Sequence, residues 1–380
     1  MTALEHPRHW GGLLDLPATL DTAAAEGVLA ALTAAGDEDQ LAVRESGTYL
    51  RRLERAPRAE APAGWQAPDT VLVTGGTGAV GRHLAAHLAA TRTPSAVVLV
   101  GRTAPADDAF AFVRADVTVE SDVRSAVAEI RRRYGRIDGV IHAAGVHDDA
   151  RALTKPDAAV DAVLAPKVFG LRHLVDALGT EPLEFLALCS SIAGRTGNLG
   201  QVDYAYANAF LDEFAAGRPG TVSVCWPLWA DGGMAVDDAT RRLFARRWGS
   251  APLPTADAVR AFDRVVSGTE PVVAVQRPAD VAPEAPAGVP DPELDLDAEL
   301  RALAAGFLLV EPDEVDPDIQ LLDLGFDSIS LTGLVNETNE RFGVDLLPTV
   351  LYEHPTLAAF GAYLRTVLPA RPAPATVDAG

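Results

Sequence analysis

Cysteine and lysine are scarce in this chain of 380 residues: two cysteines, Cys189 and Cys225, and only Lys155 and Lys167 as lysines among thirty-two basic residues. Two cysteines set inside apolar runs exclude a disulfide-stapled scaffold and read as buried thiols of a reduced, cytoplasmic protein. No apolar run is long enough to span a bilayer, and the opening MTALEHPRHW has no signal-peptide core, so no membrane partner is expected. Basic residues are outnumbered 53 to 32, a net charge of −21, which argues against binding a nucleic-acid backbone. No metal ligand is expected. What is present, 48% hydrophobic and 22% charged residues over this length, fits a soluble chain of two or three domains.

Short apolar runs alternating with amphipathic stretches over residues 67–280 predict a doubly wound α/β domain with a parallel sheet. The expected strands are VLV (71–73), AVVLV (96–100), VIHAAG (140–145), FLALC (185–189) and TVSVCW (221–226). Residues 1–66 read as a helix near Thr22–Ala35 and a hairpin in LAVRESGTYLRRLER. A Pro-rich acidic stretch (277–294) reads as a linker, with its core over 281–294. Residues 295–368 show helical periodicity without strands, and 369–380 read as a disordered tail.

The most informative spacing lies in YAYAN. Tyr204 and Asn208 stand four apart, one face of a helix, and Ser191 closes the run Phe185–Cys189 thirteen residues upstream. A phenol and a hydroxyl aimed at one carbonyl oxygen can bind and protonate it. Lys167, on the helical pattern of Val160, Val163, Leu164, Val168 and Leu171, is the fourth candidate, with Pro166 a local kink. An ammonium near Tyr204 would favour the phenolate and lower its pKa. Each residue has a plain alternative: Ser191 a cap, Tyr204 a surface ring like Tyr206, Asn208 a surface amide, Lys167 a solvated charge.

This set resembles the short-chain dehydrogenase/reductase superfamily and, within it, the ketoreductase domains of modular polyketide synthases, which exchange the usual Lys and Asn positions as Lys167 and Asn208 do here. IHAAGV (141–146), GQVDYAYANAFLDEFA (200–215) and GGM (232–234) carry the same likeness over roughly residues 1–280. The resemblance implies a catalytic set of Tyr204 as proton donor, Ser191 on the substrate oxygen, Lys167 beside the phenol and Asn208 ordering a proton relay. HPRHWGGLLDLP and GDEDQLAVRESGTYLRRLER resemble the closing part of the structural subdomain that precedes such reductases, and its earlier part is absent. The expectation is a truncated subdomain, completed by an upstream chain unless the sequence is part of a longer one.

The run Thr74-Gly75-Gly76-Thr77-Gly78-Ala79-Val80-Gly81 follows a strand and opens a helix. In that context Gly76, Gly78 and Gly81 read as a dinucleotide fingerprint. After AVVLV stands Gly101-Arg102 rather than an acidic residue. A guanidinium pairs with a 2′-phosphate, so NADPH is the expected cofactor, with a solvated Arg102 leaving NADH open. By resemblance, Asp116 and Val117 flank the adenine, and Ala143, Ala144 and Gly145 lie along the cofactor. In the B type of these reductases a Leu-Asp-Asp motif marks the class; His147-Asp148-Asp149 matches it at Asp149, with His147 in the Leu position. The A-type Trp position holds Thr196. The resemblance therefore implies stereocontrol by Asp149 and a D-configured β-hydroxyl.

Residues 295–368 contain LLDLGFDSISLTGLVNETNERFGVDLLPTVLYEHPTLAAFGAYL, which resembles acyl carrier proteins, particularly those of systems with free-standing acyltransferases. Ser328, after Gly325, Phe326 and Asp327, would carry 4′-phosphopantetheine on a small all-α bundle whose core face includes Ile329, Leu331, Leu334 and Val335. The plain alternative for Ser328 is a helix cap. Over 294–368, fourteen acidic residues face three basic ones, a net of −11 suited to basic patches on partner enzymes. The expected partners are a β-ketoacyl thioester and, in trans, a ketosynthase, an acyltransferase and a phosphopantetheinyl transferase. Two other readings stay open: a carrier with a redox-silent reductase half, and a reductase of free small ketones.

Overall fold

The computed structural model describes residues 12–17, 19, 21–33, 40–44, 46–55, 68–150, 152–198, 200–232, 250–279, 295–308, 310–326, 328–344, 346 and 350–368. The core of the Pro-rich stretch (281–294), the tail, Gly233 and Met234, the HPRHW segment, Asp327, and the side chains of Ser328 and Ile329 lie outside the described residues. The described elements form two compact units.

In the first unit a seven-stranded sheet runs in the order β6-β5-β4-β7-β8-β9-β10, every pairing parallel. Its strands are β4 (Thr70–Thr74), β5 (Ala96–Gly101), β6 (Ala111–Arg114), β7 (Gly139–His142), β8 (Phe185–Ser191), β9 (Thr221–Trp226) and β10 (Val272–Ala274). The chain crosses over through α2 (Ala79–Thr91), α3 (Glu120–Tyr134), α4 (Asp157–Leu178), the short α5 (Ala193–Thr196), α6 (Val202–Ala216) and α7 (Thr255–Val266). The reversal of strand order between β4 and β7 is the place where ligands sit in such sheets, beyond the carboxyl ends of the strands. β4, β8 and β9 are apolar runs buried on both faces, as a covered parallel sheet requires.

The sheet separates two cores. Val71, Val73, Leu84, Leu88, Leu99 and Phe262 pack on one side, and Val98, Ile130, Val140, Leu171, Leu174 and Leu186 on the other. The expected strand over 140–145 ends at His142, after which Ala143 donates its N–H to the Thr74 carbonyl at 3.0 Å and the chain leaves the sheet. Pro166 does not interrupt α4, which runs unbroken for 22 residues. Before the sheet, β1 (Leu13–Asp15), α1 (Thr22–Thr33), β2 (Gln40–Arg44) and β3 (Gly47–Leu50) form a small subdomain; β2 and β3 are the expected hairpin and β1 joins β2 in parallel. Arg51 ties this subdomain to α5 by donating to the Arg195 carbonyl at 2.6 Å.

The second unit is helical: α8 (Leu296–Leu308), a 3₁₀ turn (Pro312–Glu314), α9 (Ser328–Phe342), α10 (Val350–Glu353) and α11 (Leu357–Val367). Leu300, Phe326, Leu331, Leu334, Val335, Phe342, Phe360 and Leu364 make its core. Gly325 has φ +102°, a left-handed conformation that lets the chain turn into α9 while Phe326 buries. Asn339 holds the segment after α9, donating to and accepting from the backbone of Leu346, each at 2.8 Å. Among the described residues no helix is long and apolar enough to cross a membrane.

Phe262 on α7 is fully buried and meets Phe185 edge-on with ring centroids 6.3 Å apart. Phe262→Ala should therefore destabilise the first unit by about 3–5 kcal/mol, read as a drop in the denaturant midpoint at unchanged slope.

Candidate active site

The sequence-predicted residues come together at the carboxyl ends of β4, β7 and β8. Lys167 enters from α4, and its side chain is buried, with Nζ donating to the carbonyl of Cys189 at 2.7 Å. That ammonium lies 5.9 Å from the centroid of the Tyr204 ring on α6. Gly145 is the floor under it, since a Cβ there would stand 2.8 Å from Lys167 Cε. Ser191 ends β8 and accepts the Ala193 N–H at 3.2 Å, so it does cap the turn that follows, while its hydroxyl also contacts the Tyr204 phenol. Asn208 is fully buried one turn after Tyr204; its Nδ2 donates to the Tyr204 carbonyl at 2.7 Å. The neighbouring Tyr206 points outward and is 63% exposed.

The electrostatics depart from the sequence expectation in one respect. Burial pushes the Tyr204 phenol above its ordinary pKa; the contacts of Ser191 and Asn208 work in the opposite direction, and the negative charge of Asp149 adds to the rise. Lys167 is not what sets this balance: burial draws its own pKa down to about 8, against the favourable charge of the Asp212 carboxylate. The thiol of Cys189, buried beside the ammonium, is itself pushed up to about 11 by burial, an inert neighbour rather than a nucleophile.

His142 was not legible as a site residue. Its ring is fully buried at the end of β7, with Nδ1 2.7 Å from Thr74 Oγ1 and Nε2 3.1 Å from the Pro166 carbonyl. A carbonyl only accepts, so Nε2 carries the proton and Nδ1 accepts from the Thr74 hydroxyl. Burial and then the Lys167 charge lower its pKa to about 3, so this ring stays neutral. It joins the residue that opens the glycine run to the one that precedes Lys167.

The glycine run is a cradle of bare backbone. Gly75, at φ +64°, lies so close to the Ala143–Ala144 backbone that a Cβ would stand 2.6 Å from Ala143 C and O. Gly81, on α2, meets the Gly75 carbonyl at the same 2.6 Å. Gly76 is pressed on Leu99, whereas Gly78, the N-cap of α2, has more room. No side chain caps α2, so its first N–H groups are open toward an anion, and the cradle fits a pyrophosphate. Thr77 reaches Gly101, and Arg102 beyond it is exposed. Partial burial works to raise the Asp116 carboxyl, but hydrogen bonds from the backbone and side chain of Thr118, helped by the Arg102 charge, hold it below the usual range. Val117 is buried against Gly170 of α4.

Comparison with known proteins agrees with this geometry. Residues 69–231 match the KR domain family, and residues 288–364 match the phosphopantetheine attachment site family. The polyketide synthase PksN of Bacillus subtilis is 30% identical over 347 residues, 79% of this chain but 6% of PksN. The ketoreductase PlmKR1, from the first module of phoslactomycin biosynthesis in a Streptomyces species, superposes with a TM-score of 0.64 at 33% identity, covering 73% of this chain and 68% of that one. A structure of A-type ketoreductases from a modular polyketide synthase gives a TM-score of 0.66 at 33% identity, over 73% and 62% of the two chains.

The lowered pKa of Lys167 has a measurable sign. Its folded value, about 8, lies below the ordinary 10.5, so between these pH values the unfolded chain holds more protons and stability gains from rising pH. The stability difference between the parent and Lys167→Met should therefore shift in the parent's favour from pH 8 to 10, as chemical denaturation at each pH would read.

Proposed function

Because the chain belongs to the ketoreductases of modular polyketide synthases and carries a phosphopantetheine-attachment domain, we propose that it reduces a β-ketoacyl thioester, tethered to its own carrier, to the β-hydroxyacyl thioester with NADPH. The observation that carries this reading is the convergence of Ser191, Tyr204, Lys167 and Asn208 around one phenol. The two matched domains are assigned as a reductase over 67–280, preceded by a partial structural subdomain (1–66), and a carrier over 295–368.

The glycine cradle would hold the pyrophosphate of the dinucleotide, whose reduced nicotinamide would supply a hydride to the ketone carbon. Tyr204 gives its phenolic proton to the ketone oxygen, and a phenol held protonated by burial is in the form this step consumes. Ser191 is placed to hydrogen-bond the same oxygen and steady the developing charge. The Lys167 ammonium, 5.9 Å from the ring, stabilises the phenolate left behind. Asn208 keeps its Oδ1 buried and without a hydrogen-bond partner among the described residues, an acceptor suited to ordering the relay that returns the proton. Arg102 supports NADPH over NADH by charge: a 2′-phosphate would meet a guanidinium there. Ser328, whose backbone opens α9 after the Gly325 turn, is the assigned attachment point for phosphopantetheine. Asp149 beside the phenol supports the B-type reading and a D-configured product.

The chain spans 6% of PksN and 62% of the A-type reductase structure. A ketosynthase, an acyltransferase and a phosphopantetheinyl transferase acting in trans are the partners we assign.

Two outcomes are expected in an assay of NADPH oxidation with a β-ketoacyl pantetheine thioester. Tyr204→Phe should lower kcat by at least a hundredfold while Ser328 still accepts phosphopantetheine; retained turnover would remove Tyr204 as proton donor. Arg102→Glu should raise the Kd for NADPH at least tenfold and leave that for NADH little changed, and equal losses for both would return Arg102 to a solvated charge.

A further inference from the structure

The loop holding Asp148 and Asp149 is fastened to the start of α6 and to the two residues just before it, and the reduction described above uses none of these ties. Lys155, the second of the two lysines, forms an ion pair with Asp203 at 2.5 Å, and the two side chains are 0% and 1% exposed. The same ammonium donates to the backbone carbonyl of Asp148. The other carboxylate oxygen of Asp203 accepts the backbone N–H of Tyr204 at 2.8 Å. Two residues before Asp203, the Gln201 amide donates to both carboxylate oxygens of Asp149, at 3.0 and 2.9 Å, and the Gly200 carbonyl accepts the Ala150 N–H at 2.9 Å. His147, which opens the loop, meets the Tyr204 ring edge-on at 6.4 Å.

We propose that Lys155 and Asp203 are positioning residues for the reduction: their buried ion pair, with the Gln201–Asp149 bond, locks the Asp148–Asp149 loop onto the turn that carries Tyr204 and so fixes which face of the substrate ketone meets the phenol. The inference rests on the reading of Tyr204 as proton donor. Its physical basis is directionality. An apolar pair of the same volume would fill this space, but it would define neither the Asp148 carbonyl nor the Tyr204 N–H in orientation. The ammonium donates to the loop through the Asp148 carbonyl and lies in ion-pair contact with a carboxylate of the helix, so one buried charge links the two segments. Asp203 lies in the first turn of α6, where a carboxylate also meets the positive end of the helix, so the pair is anchored to the element that aims Tyr204. Gln201 fixes the loop's other acidic residue from the same turn, which leaves the wall beside Tyr204 with one arrangement.

The test uses the full chain and a β-ketoacyl pantetheine thioester with NADPH, reading kcat, KM and the ratio of β-hydroxy enantiomers. The decisive variant is Lys155→Met with Asp203→Asn, which removes both charges and leaves no buried ion unpaired. It should fold, as judged by circular dichroism and a cooperative melt, and bind NADPH as the parent does. Its kcat should fall at least tenfold with KM changed less than threefold, and the minor enantiomer should rise at least tenfold. Gln201→Met, which cuts the loop's other tie without touching the pair, should shift the enantiomer ratio the same way. A double variant with the parental kcat and enantiomer ratio would overturn the proposal, and so would one that fails to fold, since the pair would then serve the fold alone. Absence of turnover in the parent would instead strike the reductase reading beneath it.

Discussion

Lys167 places an ammonium inside the protein, and desolvation of a buried charge opposes that strongly. The surroundings of the site conform to this one constraint. The Cys189 carbonyl accepts from Nζ at 2.7 Å. Gly145 has no side chain because Lys167 Cε already fills that space. His142 is held neutral, so no second cation stands beside the first. Beneath them Asp212, fully buried, supplies negative charge to the Lys167 environment while accepting from Ser223 Oγ at 2.6 Å and pairing with Arg195 at 2.8 Å. The result is a cation whose proton is held loosely enough to titrate near neutrality, next to a phenol whose proton is held more tightly than usual.

That ordering suits the reduction proposed for this site, in which Tyr204 would be the proton donor. A phenol already lowered toward neutrality would spend part of its time as phenolate and lose the proton that the ketone oxygen needs. Burial prevents this in the resting site. In the proposed reduction the ammonium would matter after transfer, when a phenolate would stand 5.9 Å from its charge. A sequence argument from proximity alone predicts a lowered phenol, because it counts the charge and omits the solvent that folding removes.

The strands β4, β5, β8 and β9 were legible as apolar runs because both faces of a covered parallel sheet are buried. The missed strands are the two edges of that sheet. β6 (AFVR) is only partly buried, and β10 is three half-buried residues, so neither makes a long apolar run. Within the site, Tyr204 and Asn208 could be read because four residues on one helix define a face without any tertiary knowledge. His142 and the Lys155–Asp203 pair could not, since their partners are 68 and 48 residues away in the chain. One trace of them was available. An Arg-rich chain with only two lysines uses that residue sparingly, and both prove to be buried.

The two lysines show how one side-chain type serves opposite purposes through its partner. Lys167 donates a hydrogen bond to a neutral carbonyl and has no carboxylate in direct contact, so burial outweighs the charge of Asp212 and pulls its pKa down. Lys155 meets the carboxylate of Asp203, so its charge is matched and fixed in place. Arginine could not take the place of Lys167. Its guanidinium does not release a proton near neutral pH, and a planar fork would not fit where Gly145 leaves room for a single methylene chain. In a chain that otherwise uses arginine, both lysines are thus buried, and at Lys167 the space beside Gly145 requires a compact ammonium.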